Sequence, residues 1–235
     1  MLFLFSMPAL TYIYFQEILA REEYMESYRT VIGYGETGLE ISKSKFIVQV
    51  NRAISAKDAI DFIEIVKKKH RDATHNCSAF IIGPRGEHQK ADDDGEPAGT
   101  AGIPILETLK KNKITDAVIV VTRYYGGIKL GAGGLIRAYG KVAALGLQAA
   151  GILERIPHTH IILKTNYDLF GIVENYLHSN NYIIKKKDFA EQVTLHVLVE
   201  KNRETSLCQT ITNLTSGRIT LSTAGIQYVD KTLCI

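Results

Sequence analysis

Residues 92–102 read DDDGEPAGTAG and residues 121–134 read VTRYYGGIKLGAGG. Within the 43 residues from Asp92 to Gly134, these two segments hold eight of the chain's 19 glycines. Glycine is needed where the backbone takes a positive φ or where another group must approach it closely. The two segments therefore predict two shaped loops rather than one slack linker.

The first segment forms an acidic loop, defined here as residues 92–100. Its carboxylates do not have the alternating spacing of an EF-hand, so we expect no metal, although a cation remains an alternative. A second interpretation is that Thr100 caps a helix over residues 101–112 and leaves the acids beside its positive N-terminal end. The residues assigned to this loop's site are Asp92, Asp93, Asp94, Glu96 and Thr100.

A helix and a strand are predicted between the loops. Ile103, Leu106 and Leu109 have the spacing of one buried helix face. Residues 117–121 form an almost continuous apolar run, which is typical of a strand that is buried on both faces.

The second loop connects that strand to a long helix. A strand, a glycine-rich loop and a helix N-terminus with nearby cations make an anion site, although the spacing matches neither the P-loop nor the dinucleotide motif. The glycines can instead serve close packing of the loop on the strand. The helix has an inward face of Leu135, Tyr139, Val142, Ala143 and Gly146. The residues predicted to bind RNA, phosphate or a partner are Arg123, Tyr124, Tyr125, Gly126, Gly127, Lys129, Gly131, Gly133, Gly134, Arg137 and Lys141.

Upstream, the pattern indicates strands over residues 30–32, 38–41, 45–50 and 76–82. Between the last two, Ser55 is a plausible N-cap for a helix that runs to His70. Its predicted inward face consists of Ala59, Ile60, Ile63 and Val66.

Three of these segments resemble the Impact family, and most closely its bacterial YigZ-type members. They are residues 73–77, 93–102 and 121–131, and the similarity extends over roughly residues 28–150. The resemblance implies an α+β domain of the kind found in a small-subunit ribosomal protein and in the translocating elongation factor. It also implies a cytoplasmic regulator of translation linked to stress, because eukaryotic relatives compete for the activator of an amino-acid-starvation kinase.

The last third of the chain predicts a ferredoxin-like βαββαβ domain, which also resembles the C-terminal domain of YigZ-type proteins. Asp168 is the expected cap of its first helix, and Val193, Leu195, Val197 and Val199 alternate as in a half-buried strand. That first helix is predicted to face inward through Leu169, Ile172, Val173 and Tyr176. The fold class is thus α+β with two domains, 28–150 and 158–235, joined by a linker from Gly151 to Pro157.

Residues 1–27 differ from the rest of the chain. The apolar run from Leu2 to Phe15 suggests a signal peptide, but no Lys or Arg precedes it. We therefore expect a poorly ordered tail or an over-extended start. After residue 30 no run approaches the roughly 18 apolar residues of a membrane span.

Composition excludes few functions. The net charge of +3 and the 46% hydrophobic content are those of a globular protein, and both domains are weakly basic. Cys77, Cys208 and Cys234 are scattered, which favours reduced thiols over a disulfide framework or a zinc site. His158 and His160 share a strand face, as do His75 and Cys77, and we interpret all four as structural.

Three functional hypotheses remain. The first is a non-enzymatic regulator, without cofactor or catalytic residue, that binds the ribosome, structured RNA or a translation-associated protein. The second is a nucleotide- or phosphate-binding enzyme or switch, with phosphate at residues 131–134 and magnesium at Asp93, Asp94 or Glu96. The third is a protein-interaction module. The sequence predicts no membrane partner and leaves the oligomeric state open.

Overall fold

The computed structural model describes residues 25–233. These residues form two compact units, one of residues 27–155 with 230–233 and one of residues 25–26 with 156–229. The chain passes between the units within β7 (Ile152–Thr165) and again within β10 (Ile219–Thr232). Residues 1–24, most of the predicted tail, lie outside the described range.

The first unit is an antiparallel five-stranded sheet in the order β2-β3-β6-β4-β5, with helices on both faces. A short strand, β1, lies outside that sheet and pairs with the first four residues of β7. The elements are β1 (Tyr28–Val31), β2 (Gly35–Ile41), β3 (Ser44–Arg52), α1 (Ala56–Lys69), β4 (His75–Ile82), β5 (His88–Asp92), α2 (Gly102–Lys111), β6 (Ala117–Tyr124) and α3 (Gly131–Ala150).

Strand β6 is the centre of this unit and is buried on both faces, as its apolar run predicts. Ala117, Ile119 and Val121 join a core that also contains residues of α2 and α3. Val118 and Val120 point the other way and join a smaller core that contains residues of α1. Because β6 lies in the middle of the sheet, the glycine-rich loop that follows Tyr124 begins at the centre of the sheet edge.

Helix α3 packs on β2 and β3 through the face that its periodicity predicts. Leu135, Tyr139 and Val142 are buried, and the Tyr139 ring meets Phe46 edge-on with 5.5 Å between ring centroids. Gly146 lies so close to β3 that a Cβ there would be 2.5 Å from a methyl group of Val48.

The buried faces of the two shorter helices differ from the prediction. In α1, Ile60 is 42% exposed and Phe62 is buried in its place, between Ala59 and Val66. In α2, Ile103 is 48% exposed and Ile105 faces the core. In each helix the apolar positions fit two overlapping stripes, and only contact with the sheet selects between them.

The second unit has the predicted order βαββαβ. Its sheet has the order β10-β7-β9-β8, which is the ferredoxin-like arrangement. The predicted alternation in β9 is confirmed, since its four valine and leucine residues pack against both helices. After β7 the elements are α4 (Tyr167–Ser179), β8 (Ile183–Phe189), β9 (Val193–Glu200), α5 (Glu204–Leu214) and β10.

Two details of the second half need correction. The segment from Gly151 to Pro157, predicted as a linker, is mostly the beginning of β7 and pairs with β1 through residues 152–155. Helix α4 begins after Asn166, not at Asp168, whose side chain instead lies 3.3 Å from Arg218. Of the predicted inward residues of α4, Leu169 and Val173 are buried, whereas Ile172 is 48% exposed.

Candidate functional site

The acidic loop binds the chain's own amide groups. The Asp93 carboxylate accepts hydrogen bonds from the N–H groups of Gly99, Ala101 and Gly102 at 2.7–2.9 Å. Burial alone would raise the pKa of Asp93, but these three donors outweigh it and hold that pKa below its ordinary value of 3.8. Asp93 therefore caps α2. Thr100 does not, because its hydroxyl donates to the Pro97 carbonyl at 2.6 Å.

The neighbouring carboxylates are also compensated within the protein. Asp94 accepts from Lys67 at 2.7 Å and from the Asn76 amide at 2.6 Å. These donors outweigh burial and hold the pKa of Asp94 below its ordinary value. Asp92 accepts from the Asp94 amide at 3.0 Å and lies 3.7 Å from Lys67. The oxygens that a cation would need at this loop are thus occupied by N–H groups.

Glu96 and Arg123 join the two loops through a buried ion pair. The guanidinium donates to Glu96 Oε1 at 2.7 Å, and only 4% of Arg123 and 8% of Glu96 are exposed. The Tyr139 hydroxyl donates to the same oxygen at 2.8 Å. Arg123 is one of the residues that the sequence predicts to contact phosphate; in the structure its charge is already paired inside the protein.

Aromatic rings enclose the Arg123 guanidinium. Phe46 and Tyr125 lie with their ring centroids 5.5 and 5.3 Å from its central carbon. Tyr125 remains 45% exposed. Tyr124 differs from its neighbour, because its hydroxyl lies 2.9 Å from His70 Nδ1 and donates to Asp72. Of the two tyrosines predicted to stack on bases, Tyr125 is the one with an exposed ring.

Cys77 and His75 lie beside this ion pair. Burial raises the pKa of the Cys77 thiol to about 12, so the thiol stays protonated at neutral pH. His75 Nδ1 lies 2.9 Å from the Asp94 carbonyl, and its Nε2 lies 3.9 Å from Glu96. Both contacts agree with the structural role predicted for these two residues.

The second loop is shaped by its glycines. A Cβ at Gly126 would lie 1.9 Å from the Lys43 carbonyl oxygen, so only glycine allows the loop to pack on the β2–β3 turn. Gly131 has a φ of +68° where α3 begins. Leu130, at the N-cap of α3, supplies no side-chain hydrogen bond, so the first N–H groups of the helix have no side-chain cap there.

A cavity of about 430 Å³ opens between the two loops, above the buried ion pair. It is formed by the start of β4, the acidic loop, the end of β6 and the first turn of α3. Its lining includes apolar Pro97, Leu130, Ala132 and Leu135, and polar Thr74, His75, Glu96, Arg123, Tyr125 and Lys129.

Five exposed cations lie on the β2–β3 hairpin, the glycine-rich loop and helix α3, and we name them the basic rim: Lys43, Lys45, Lys129, Arg137 and Lys141. Of these, Lys129 lines the cavity. Among residues 25–233, none of the five has a carboxylate within 4.0 Å. Lys43 and Lys45 were absent from the sequence prediction. They reach the site because the β2–β3 turn packs on Gly126 and because Lys45 is opposite Tyr124 in the β3–β6 register.

The second unit holds a histidine pair that the sequence did not predict. His160 Nε2 lies 3.0 Å from His196 Nδ1, and His196 Nε2 lies 3.3 Å from Asp188. Burial and the charge of His196 lower the pKa of His160. In residues 25–233 no group of three or more His, Cys, Asp and Glu side chains is placed to hold a metal ion.

Comparison with known proteins shows what class of protein this is. Residues 42–147 match the Impact N-terminal domain, and residues 163–218 match a domain of unknown function, DUF1949. The order of the two domains agrees with the two units of the structure.

The chain belongs to the IMPACT family and is of the bacterial YigZ type. It is 43% identical over 211 residues to the IMPACT family member YvyE of Bacillus subtilis, covering 88% of this chain and 95% of the relative. It is 33% identical over 184 residues to the IMPACT family member YigZ of Escherichia coli, covering 77% and 90%. A crystal structure of a hypothetical protein, 32% identical, is similar with a TM-score of 0.55 over 84% of this chain and 97% of its own.

No helix within residues 25–233 is both long enough and apolar enough to span a bilayer.

Proposed function

We propose that this protein is a non-enzymatic regulator linked to translation, and that it binds structured RNA, such as that of the ribosome, through the basic rim. The observation that carries the proposal is an imbalance of charge at one end of the first unit. The carboxylates of the acidic loop are paired with internal donors, whereas the five rim cations are exposed and, among residues 25–233, have no carboxylate within 4.0 Å. Such a surface attracts a polyanion.

Two further features support the proposal, one for RNA as the partner and one for the link to translation. Tyr125 presents an exposed aromatic ring beside the rim, and single-stranded bases stack on such rings. The likeness of the sequence to the Impact family, whose eukaryotic members regulate translation, supports the link to translation. The cytoplasm is the compartment that this function requires.

The magnesium-dependent switch has less support. Its three proposed ligands already accept hydrogen bonds. Asp93 accepts from three backbone amides, and Asp94 accepts from Lys67 and from the Asn76 amide. Glu96 accepts from Arg123 and from Tyr139. Occupied carboxylates bind a divalent cation only after those bonds break. The protein-interaction module is tested by nuclease treatment, since an interaction that survives it does not depend on RNA.

The test is ribosome and RNA binding across a salt series from roughly 0.05 to 0.2 M, because phosphate contacts make affinity salt-dependent. Affinity falls as salt rises, so the slope of log affinity against log salt is negative. Neutralising three rim cations together (Lys129→Gln, Arg137→Gln and Lys141→Gln) should make that slope shallower by roughly 2–3. Affinity at the higher salt should fall by about tenfold or more.

The matched control neutralises three exposed lysines that lie elsewhere in the first unit: Lys90→Gln, Lys111→Gln and Lys113→Gln. It has the same net charge as the rim variant, so a general charge effect would appear in both. Equal losses in the two triple variants, or binding that is absent or insensitive to salt in the wild type, would contradict the proposal.

A further inference from the structure

We propose that the cavity beside the basic rim is a pocket for one unpaired nucleotide of the bound RNA. This inference rests on the proposed function and makes it more specific. The rim attracts any RNA, and the cavity selects a strand whose bases are free to leave a stack.

The size and lining of the cavity fit an aromatic base. Its volume of about 430 Å³ lies within the range of small-molecule sites. Pro97, Leu130, Ala132 and Leu135 give it apolar walls, and Ala132 is exposed at the mouth on the first turn of α3. A base in a duplex cannot enter such a cavity, because it is paired and stacked.

Tyr125 supplies a stacking platform. One face of its ring covers the Arg123 guanidinium at 5.3 Å, and 45% of the residue remains exposed. Phe46 lies on Arg123 as well, at 5.5 Å. The Tyr125 ring therefore packs on the buried Arg123 guanidinium, which in turn packs on the buried Phe46 ring. Bases stack on aromatic side chains held in this way with little dependence on sequence.

The phosphate of the same nucleotide has its own partners. Lys129 lines the cavity and is exposed, and the first turn of α3 begins two residues later at Gly131. Because Leu130 does not cap the helix with its side chain, the first N–H groups of α3 can donate to an anion. The anionic and aromatic parts of a nucleotide thus meet different walls of one cavity.

Arg123 has an unused donor in this region. Its buried Nε–H lacks a hydrogen-bond acceptor among residues 25–233, although the residue lines the cavity. A buried donor without a partner is unfavourable and is rare in folded proteins. An acceptor group of the bound nucleotide that reaches this donor would supply the missing partner.

The experiment compares a short single-stranded RNA with the same strand annealed to its complement, using fluorescence anisotropy and the full-length protein. The wild type should bind the single strand about tenfold more tightly, the effect of stacking one base. Ala132→Phe fills the cavity without changing charge, so it should reduce single-strand affinity to the duplex level. Duplex affinity and its salt dependence should stay unchanged.

Gln148→Phe is the control for Ala132→Phe, since it adds a ring at an exposed position near the other end of α3. Tyr125→Leu should also lose the single-strand preference, and Tyr125→Phe should keep it. A wild type without preference, or an Ala132→Phe variant that retains it, overturns this inference and leaves the proposed function intact. Absence of salt-dependent binding to both RNAs overturns the proposed function and the inference together.

Discussion

Arg123 and Glu96 lie 2.7 Å apart beneath the cavity, and both are more than nine-tenths buried. Removal of one partner leaves a buried charge without compensation, which destabilises a protein by about 3–5 kcal/mol. We expect Arg123→Met to lower the free energy of unfolding by that amount in urea denaturation. Adding Glu96→Leu should recover at least half of the loss, because the orphaned carboxylate is then gone.

Arg137→Met is the control for this prediction, because Arg137 is exposed and has no ion-pair partner among the described residues. It should change the free energy of unfolding by less than about 0.5 kcal/mol. An Arg123→Met variant as stable as the wild type would show that the buried pair contributes nothing. The same geometry makes Arg123→Glu a poor test of RNA binding, since it sets two carboxylates against each other inside the core.

The residues of the site differ in how far the sequence could predict them. Tyr139 was placed correctly in the core because its helical spacing is a local pattern. The role of Arg123 was not predicted, because its partner Glu96 is 27 positions away and only the fold brings them together. Asp93 replaces Thr100 as the cap of α2 because the turn at Asp94 and Gly95, with φ of +44° and +87°, folds the loop back onto the helix.

Helix α3 contains two glycines with opposite surroundings, and this difference gives a prediction at the scale of the element. A Cβ at Gly140 has nothing within 4 Å, whereas a Cβ at Gly146 would lie 2.5 and 2.8 Å from methyl groups of Val48 and Val50. Gly140→Ala should therefore raise the free energy of unfolding by about 0.5–1 kcal/mol, since alanine restricts the unfolded chain.

Gly146→Ala should instead lower the free energy of unfolding by about 1–3 kcal/mol, because the added methyl group overpacks the contact with β3. The two variants make the same chemical change in one helix, so each controls for the other. Thermal and urea unfolding measure both. Changes of the same sign in the two variants would contradict the packing of α3 on β3.

Elements with strong periodicity were predicted well, and short ones less so. The apolar run of β6 correctly predicts a buried strand, and the apolar face of α3 correctly predicts a helix and its buried residues. In α1 the sequence did not show that Phe62 rather than Ile60 meets the sheet. That choice depends on where the helix is anchored by the Ser55 cap and by the Lys67 contact with Asp94, and the second of these is a long-range contact.

The protein as a whole should lose stability on acidification in two pH ranges. Burial lowers the pKa of His70 in the first unit and of His160 in the second. A histidine with a lowered pKa in the folded state resists protonation, so stability falls as the pH drops below 6.5 and through the folded-state pKa.

The second range involves carboxylates of the first unit. The pKa values of Asp93 and Asp94 are lowered, and hydrogen bonds from Tyr34, Gln49 and Lys69 lower the pKa of Glu36 to about 2. Their stabilisation is complete above the unfolded-state pKa and is lost as the pH falls through the folded-state values. Amide hydrogen exchange followed separately in each unit measures both ranges.

Matched variants separate the two effects. His160→Gln should flatten the upper range in the second unit only, and Asp93→Asn should flatten part of the lower range in the first. His88→Gln, at an exposed position in β5, is the control and should change neither profile. A wild-type profile that is flat from neutral pH to pH 4 would contradict the predicted role of the histidines.

The two-domain α+β architecture was predicted from the sequence, but the connection was not. Gly151 and Pro157 suggested a linker, because such residues commonly mark one. In the structure the intervening residues pair with β1, with Arg155 opposite Tyr28. That pairing joins positions more than a hundred residues apart, which local patterns do not reveal.

The shared acceptor Glu96 Oε1 has a consequence for the speed of recognition. Because Tyr139 and Arg123 both donate to it, the floor of the cavity is tied to the innermost side chains of the first unit. Such a floor is already ordered before a ligand arrives and loses little conformational entropy on binding. Encounter is then governed by diffusion and charge, and the exposed Tyr125 ring is already held over Arg123 when a ligand arrives.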